Sequence, residues 1–188
     1  MRDKIIQVSI PLFDTHGYSE TSIQDIVDAI GVTKGTFYYY YKSKQELLKD
    51  INLTYIQNLL LAQEEILKNN TQTYKEKLYN NVLLIIRNIR KQRQSARIFA
   101  REIRHLQGEN LEIVRHIRNK FRNNTQSIIT KGIEAGEFNK NIRPDILTLG
   151  ILGITNWSYY WFNPDGEVSE KQLTDYYMEL ILNGINQE

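Results

Sequence analysis

Lys34, Thr36 and four consecutive tyrosines, Tyr38 to Tyr41, stand within eight residues of one another. A lysine ammonium can donate to guanine O6 and N7. A tyrosine hydroxyl can reach a phosphate while its ring packs on a sugar or a thymine methyl. The chemistry these types offer is recognition of a nucleic acid, not bond breaking. Catalytic spacing is absent elsewhere. His16, His105 and His116 lack metal-ligand spacing, there is no cysteine, and neither a nucleophile elbow nor a phosphate-binding glycine loop occurs. No catalytic residue, cofactor or metal site is expected.

A helix must hold this cluster. Residues four apart on a helix share a face, so Phe37 and Tyr41 go to a core and Tyr38, Tyr39 and Tyr40 sweep the outward faces. Thr33 caps that short helix, 34–40, and Gly35 lets the backbone come close to a partner. Upstream, Ser22-x-x-Asp25 and Thr21-x-x-Gln24 both resemble a capping box for a helix ending at Ile30. Gly31 then supplies a sharp turn. Ile26, Ile30, Val32 and Phe37 are apolar where the two helices must pack. Helix, tight turn, short helix is the helix-turn-helix arrangement, whose second helix enters the major groove by its N-terminus.

The rest of the chain reads as all-α. Three prolines and ten glycines in 188 residues leave little punctuation, and apolar residues recur every three and four. Helices are expected at about 2–16 (with Pro11 kinking or weakening it), 22–30, 34–40, 43–69, 73–91, 94–106, 109–136, 144–162 and 169–186, about nine in all. Further caps are Ser43 with Glu46 and Ser169 with Gln172. The N-terminus lacks a signal-peptide pattern and no run is apolar enough to cross a membrane, so a cytoplasmic protein is expected.

Charge is unevenly placed. Residues 1–50 carry six basic and seven acidic side chains, a net −1. Weak non-specific DNA affinity and reliance on two copies follow, because that affinity scales with phosphates neutralised. A protein-binding adaptor stays open on the same ground. Residues 87–122 hold eleven Lys/Arg against three Glu, a net +8. Arg90, Arg93, Arg97, Arg101 and Arg104 form one stripe if the helix is continuous, and Arg115, Arg118 and Arg122 a second. A solvated face and an anionic ligand gripped by paired donors are the two readings. After Pro144, the sets Leu147, Gly150, Ile154, Trp157, Trp161 and Ile146, Leu149, Gly153, Asn156, Tyr160 each step by three and four. A helix apolar over two faces is buried on two sides, one against its own core and one against a second copy. Leu173, Tyr176, Tyr177, Leu180, Ile181 and Ile185 continue the pattern.

The stretch FDTHGYSETSIQDIVDAIGVTKGTFYYYYKSKQELL, residues 13–48, resembles the N-terminal domain of TetR-family regulators nearly position for position. The family usually has alanine at Val27, histidine at Tyr40 and phenylalanine at Tyr41. The resemblance implies a three-helix helix-turn-helix domain, 1–48, and a larger effector-binding and dimerisation domain, 49–188. It implies a homodimeric repressor on a palindromic operator, released by a small molecule. DNA contacts then fall to Ser22, Thr33, Lys34, Gly35, Thr36, Tyr38, Tyr39, Tyr40 and Lys44, the last meeting a phosphate. The dimer interface falls to Leu147, Gly150, Ile154, Tyr177, Leu180 and Ile181.

Residues 156–185, NWSYYWFNPDGEVSEKQLTDYYMELILNGI, are similar to a TetR subgroup that controls fatty-acid and steroid-ring catabolism and responds to acyl-CoA thioesters. An apolar cavity rimmed by arginine would suit such a ligand. Arg97, Phe99, Arg101, Phe121, Trp157, Tyr160 and Trp161 are the residues expected around it. A TetR-type regulator of drug efflux, responding to a hydrophobic compound, is the alternative.

Overall fold

The computed structural model describes residues 1–183, and among these every regular element is helical. Ile185 lies outside the described residues. The α-helices are α1 (Arg2–His16), α2 (Ile23–Ile30), α3 (Lys34–Tyr40), α4 (Lys44–Lys68), α5 (Tyr74–Glu102), α6 (Gly108–Glu134), α7 (Pro144–Trp161) and α8 (Glu170–Asn183), with a short 3-10 turn at Ile103–His105. The two helices expected at 73–91 and 94–106 form one element, α5. The expected break survives as a kink at Gln92, whose φ of −137° and ψ of 27° leave the helical region. Pro11 does not divide α1, which runs unbroken to Gly17.

Local signals set the first helices. Of the two candidate capping boxes, Ser22–Asp25 forms: the Ser22 N–H donates to Asp25 Oδ2 at 2.7 Å and the Asp25 N–H to Ser22 Oγ at 3.1 Å. Thr21 is buried instead, its hydroxyl donating to the Gly17 carbonyl at 2.8 Å. Gly31 adopts φ 75° and ψ 39°, left-handed values that suit glycine, and ends α2. Thr33 Oγ1 accepts from the Thr36 N–H and opens α3.

Contacts divide the chain into two compact units. The first holds Met1–Gln57 together with Gln92–Ile117; the second holds Asn58–Lys91 and the chain from Arg118 onward. Helices α4, α5 and α6 thus contribute to both. The first unit buries Ile5, Phe13, Ile26, Val27, Phe37, Tyr41, Leu47, Leu48 and Ile51 in one cluster with Ile98, Leu106 and Val114. The helix-turn-helix therefore rests on residues far along the chain as well as on its own three helices.

The second unit buries Leu78, Val82, Ile85, Ile86 and Ile89 of α5, Ile128 and Ile129 of α6, Ile151 and Tyr159 of α7, and Leu173 and Met178 of α8. Polar contacts fix its loops. The Glu137 carboxylate accepts from the Tyr74 and Lys75 N–H groups at 3.0 and 2.9 Å, capping α5. Arg90 pairs with Asp165 at 2.6 Å and Glu170 at 2.7 Å, holding the turn between α7 and α8. A Cβ at Gly132 would lie 2.2 Å from the Phe138 ring, so only glycine fits there.

Candidate nucleic-acid interface and effector region

Helix α3 presents the expected surface. Phe37 and Tyr41 are buried, while Tyr38, Tyr39 and Tyr40 are exposed, Tyr39 by 81%. Tyr39 and Tyr40 meet edge to face at 4.9 Å, and the Tyr38 ring stands edge-on to Phe37 at 5.6 Å. Thr33, Lys34 and Gly35 are exposed at the N-terminal end, with Thr36 half-buried beside them. At Gly35 a Cβ would make only ordinary contact, 3.5 Å from Thr33 Oγ1. Nothing in the chain itself demands glycine, and the open position suits close approach of a partner.

The floor under α3 is held by Tyr41 and Lys44. Arg2 Nε donates to the Tyr41 hydroxyl at 3.3 Å and Arg2 also pairs with Asp50. Burial pushes the Tyr41 phenol up to about 12. Lys44, expected at a phosphate, is engaged within the chain. Its ammonium donates to the carbonyls of Tyr18 at 2.6 Å, Thr21 at 2.7 Å and Ser19 at 3.3 Å. It also lies 4.3 Å from the Tyr18 ring centroid. Three protons meet three carbonyls, so Lys44 clamps the loop before α2. Burial lowers its pKa.

The arginines expected to grip an anionic ligand make contacts within the first unit. Arg97 forks onto Asp14, with Nε 2.8 Å from Oδ1. Arg101 donates to the carbonyls of Phe13 at 2.8 Å and Asp14 at 3.0 Å and pairs with Glu102 at 2.5 Å. Both guanidinium groups serve the C-terminal end of α1. The kink at Gln92 interrupts the stripe expected from Arg90 to Arg104. Phe99 packs on Tyr55 at 5.2 Å. Trp157, Tyr160 and Trp161 are exposed on α7, whereas Phe121 is buried in the second unit.

Helix α7 buries a face that belongs to neither expected set and is largely polar, and the residues of both expected sets lie outward or at its edge. Thr148, Ile151, Thr155, Ser158 and Tyr159 face the interior. Ile146, Leu149, Trp157, Tyr160 and Trp161 face out, with Gly150 and Gly153 among them. Leu147 and Ile154 are half-buried at the edge. On α8, Tyr176, Leu180 and Leu182 are exposed, Ile181 is half-buried, and the Tyr177 hydroxyl is engaged with Ser158 Oγ at 2.7 Å. Short spacing from glycine and broad aromatic rims suit a second helix pair. A surface groove of about 410 Å³ between the start of α5 and α8, lined by Gln72, Tyr79, Asn80 and Met178 among others, contains none of the residues expected around an effector.

Sequence reasoning missed one buried polar cluster. Gln63, Asn81 and Thr125 are fully buried and bonded together in the second unit. A polar residue inside an apolar helical stripe at 63, 81 and 125 was the available signal.

An all-α chain with a capped helix-turn-helix, an exposed Lys/Tyr surface on its second helix and a larger helical unit is a DNA-binding regulator by class. The family comparisons narrow this. Residues 5–51 match the model for bacterial regulatory proteins of the tetR family, and residues 71–185 match the tetracyclin repressor-like C-terminal domain. The chain belongs to the TetR family of transcriptional regulators. It is 25% identical over 187 residues to the HTH-type transcriptional repressor KstR2 of Mycolicibacterium smegmatis, covering 99% of this chain and 91% of that one. Among solved structures it resembles the TetR-family regulator PfmR of Thermus thermophilus, with a TM-score of 0.88, 28% identity and coverage of 97% and 99%. The fold is shared too with FadR of Bacillus subtilis in complex with stearoyl-CoA, at a TM-score of 0.81 and 23% identity, covering 99% of this chain and 100% of that one.

Proposed function

We propose that the chain is a homodimeric cytoplasmic repressor that reads a palindromic operator through α3 and leaves it when an acyl-CoA thioester binds the second unit. It acts by binding alone, with no catalytic step and no membrane partner. The observation that carries the DNA half is the surface of α3: Lys34, Gly35 and three outward tyrosines above a buried Phe37 and Tyr41. Lys34 and Thr36 meet base edges, while Ser22, Thr33 and the hydroxyls of Tyr38, Tyr39 and Tyr40 meet phosphates. Lys44 holds the loop behind them. Residues 1–48 form the reading module, and residues 49–188 bind effector and partner.

The outward aromatic face of α7, with Tyr176 and Leu180 of α8, joins two copies, because reading two half-sites needs two recognition helices about 34–36 Å apart. Support for the effector class is that a relative of the same fold has been seen with stearoyl-CoA. A thioester favouring a conformation with a different separation of the two helices releases the operator. Only differential affinity for the two states can do this.

Fluorescence anisotropy tests the reading. Purified protein is titrated onto DNA from upstream of its own gene, with and without stearoyl-CoA. Tight binding abolished by the thioester is expected. Tight binding indifferent to thioesters keeps the repressor and points to another hydrophobic effector. Absence of binding to this and other promoter DNA removes the DNA-binding reading in favour of a protein partner.

A further inference from the structure

We infer that the second unit selects an effector whose acyl part carries a hydrogen-bond donor, a hydroxyl or N–H group, for Gln63; the inference rests on the acyl-CoA reading above. Gln63 of α4 is fully buried. Its Nε2 lies 2.8 Å from Asn81 Oδ1, 3.0 Å from Thr125 Oγ1 and 3.1 Å from the Phe121 carbonyl. The neighbours fix which way its amide points. Asn81 Nδ2 donates to Thr125 Oγ1 at 3.3 Å, which turns Asn81 Oδ1 toward Gln63, and the Phe121 carbonyl only accepts. The Gln63 nitrogen is therefore surrounded by acceptors, and its Oε1 is buried with no partner.

An acceptor in that position has lost the water it had in the unfolded chain and gained nothing in return. Its Nε2 is fully engaged, so the oxygen alone is left over. The arrangement makes sense when an incoming molecule brings the missing donor.

Asn88 supplies a second, independent mark. Its Nδ2 is also buried without a partner. Asn88 follows Asn81 by seven residues on α5, two turns on the same face and about 10 Å along the axis. Ile85, also buried, lies between them on that face. The interior thus offers an orphan acceptor beside Asn81, an apolar stretch, and an orphan donor. The complementary molecule has a carbonyl at one end, an apolar middle and a donor at the other end. A thioester carbonyl suits Asn88. A saturated acyl chain has nothing for Gln63, whereas a chain ending in a hydroxyl does.

Isothermal titration of the full chain with octanoyl-CoA and 8-hydroxyoctanoyl-CoA tests this. The wild type is expected to bind the hydroxylated thioester about tenfold more tightly, the value of one hydrogen bond to an otherwise unpaired group. Gln63→Leu is expected to bring the two to parity. Parity in the wild type overturns the inference. So does a preference that survives Gln63→Leu, or a variant that weakens both thioesters alike, which would put the donor in the CoA arm. Should Gln63→Leu not fold, the wild-type preference still decides. If the wild type binds operator DNA but neither this pair nor stearoyl-CoA, the acyl-CoA reading itself fails and this inference with it.

Discussion

Arg97 closes a two-pronged ion pair on Asp14, a carboxylate in the last turn of α1 and only 6% exposed at its side chain. A negative charge there opposes the helix dipole, and Arg101 bonded to the Phe13 and Asp14 carbonyls answers the same end. Together the two arginines fasten the segment after the Gln92 kink to the helix that supports α2 and α3.

Removing Arg97 leaves a buried carboxylate uncompensated. Arg97→Ala is expected to destabilise the protein by about 2 kcal/mol, below the roughly 3–5 kcal/mol of a fully buried pair because the arginine is partly exposed. Urea unfolding measures it. The double variant Asp14→Asn/Arg97→Ala should recover part of the loss, since no charge is then stranded. Additive losses would show that the pair is not coupled.

Lys34 and Lys44 should separate in a salt titration. Lys34→Ala is expected to weaken operator binding by about 1–3 kcal/mol and to relax the preference at one base pair. Lys44→Met should weaken binding to every sequence through a loosened loop while leaving the slope of log K against log salt unchanged. A slope smaller by about 0.9 would mean that Lys44 had been neutralising a phosphate after all.

Alkali should find Tyr41. Its phenol titrates near 10 when unfolded and is pushed up to about 12 in the folded protein. A raised folded value means the native state holds the proton more firmly. The stability this adds is whole below pH 10 and is lost as pH rises from 10 through 12, about 3 kcal/mol in all. Tyr41→Phe should lose less stability over that interval in denaturant melts taken at stepped pH. An identical alkaline decline in the variant would place the titration elsewhere.

The outward face of α7 predicts a change of assembly. Trp157 is 64% exposed and stacks at 5.1 Å on Tyr160, beside Gly153. Trp157→Glu puts a charge into that face and should shift the chain from dimer to monomer at micromolar concentration in sedimentation velocity, with operator affinity falling alongside. A variant that remains dimeric would move the interface off this face.

Much of this was legible because it is local. The Ser22–Asp25 box, the Gly31 turn, the Thr33 cap and the Phe37/Tyr41 pairing depend on residues within four of one another, and short-range hydrogen bonds and helical periodicity decide them. The Ser169–Gln172 cap is of the same kind, with the Ser169 N–H 2.9 Å from Gln172 Oε1. Where the structure adds contacts the sequence did not show, the deciding partner is distant. Lys44 is settled by carbonyls 23 to 26 residues back, Arg97 and Arg101 by α1, and the outward face of α7 by which side meets α5 and α8.

The amino-acid order by itself therefore determined the helical class, the position of the reading helix and which of its aromatic rings point outward. Those follow from backbone hydrogen bonds and a 3.6-residue repeat, which act within a turn or two. Tertiary structure alone decided what each long cationic or amide side chain is for. An arginine or lysine reaches several ångströms from its backbone, and its partner is whichever carbonyl or carboxylate packing brings there. Gln63 shows the same dependence inside the second unit, where an orphan oxygen exists only because three acceptors from α5 and α6 converge on the adjacent nitrogen.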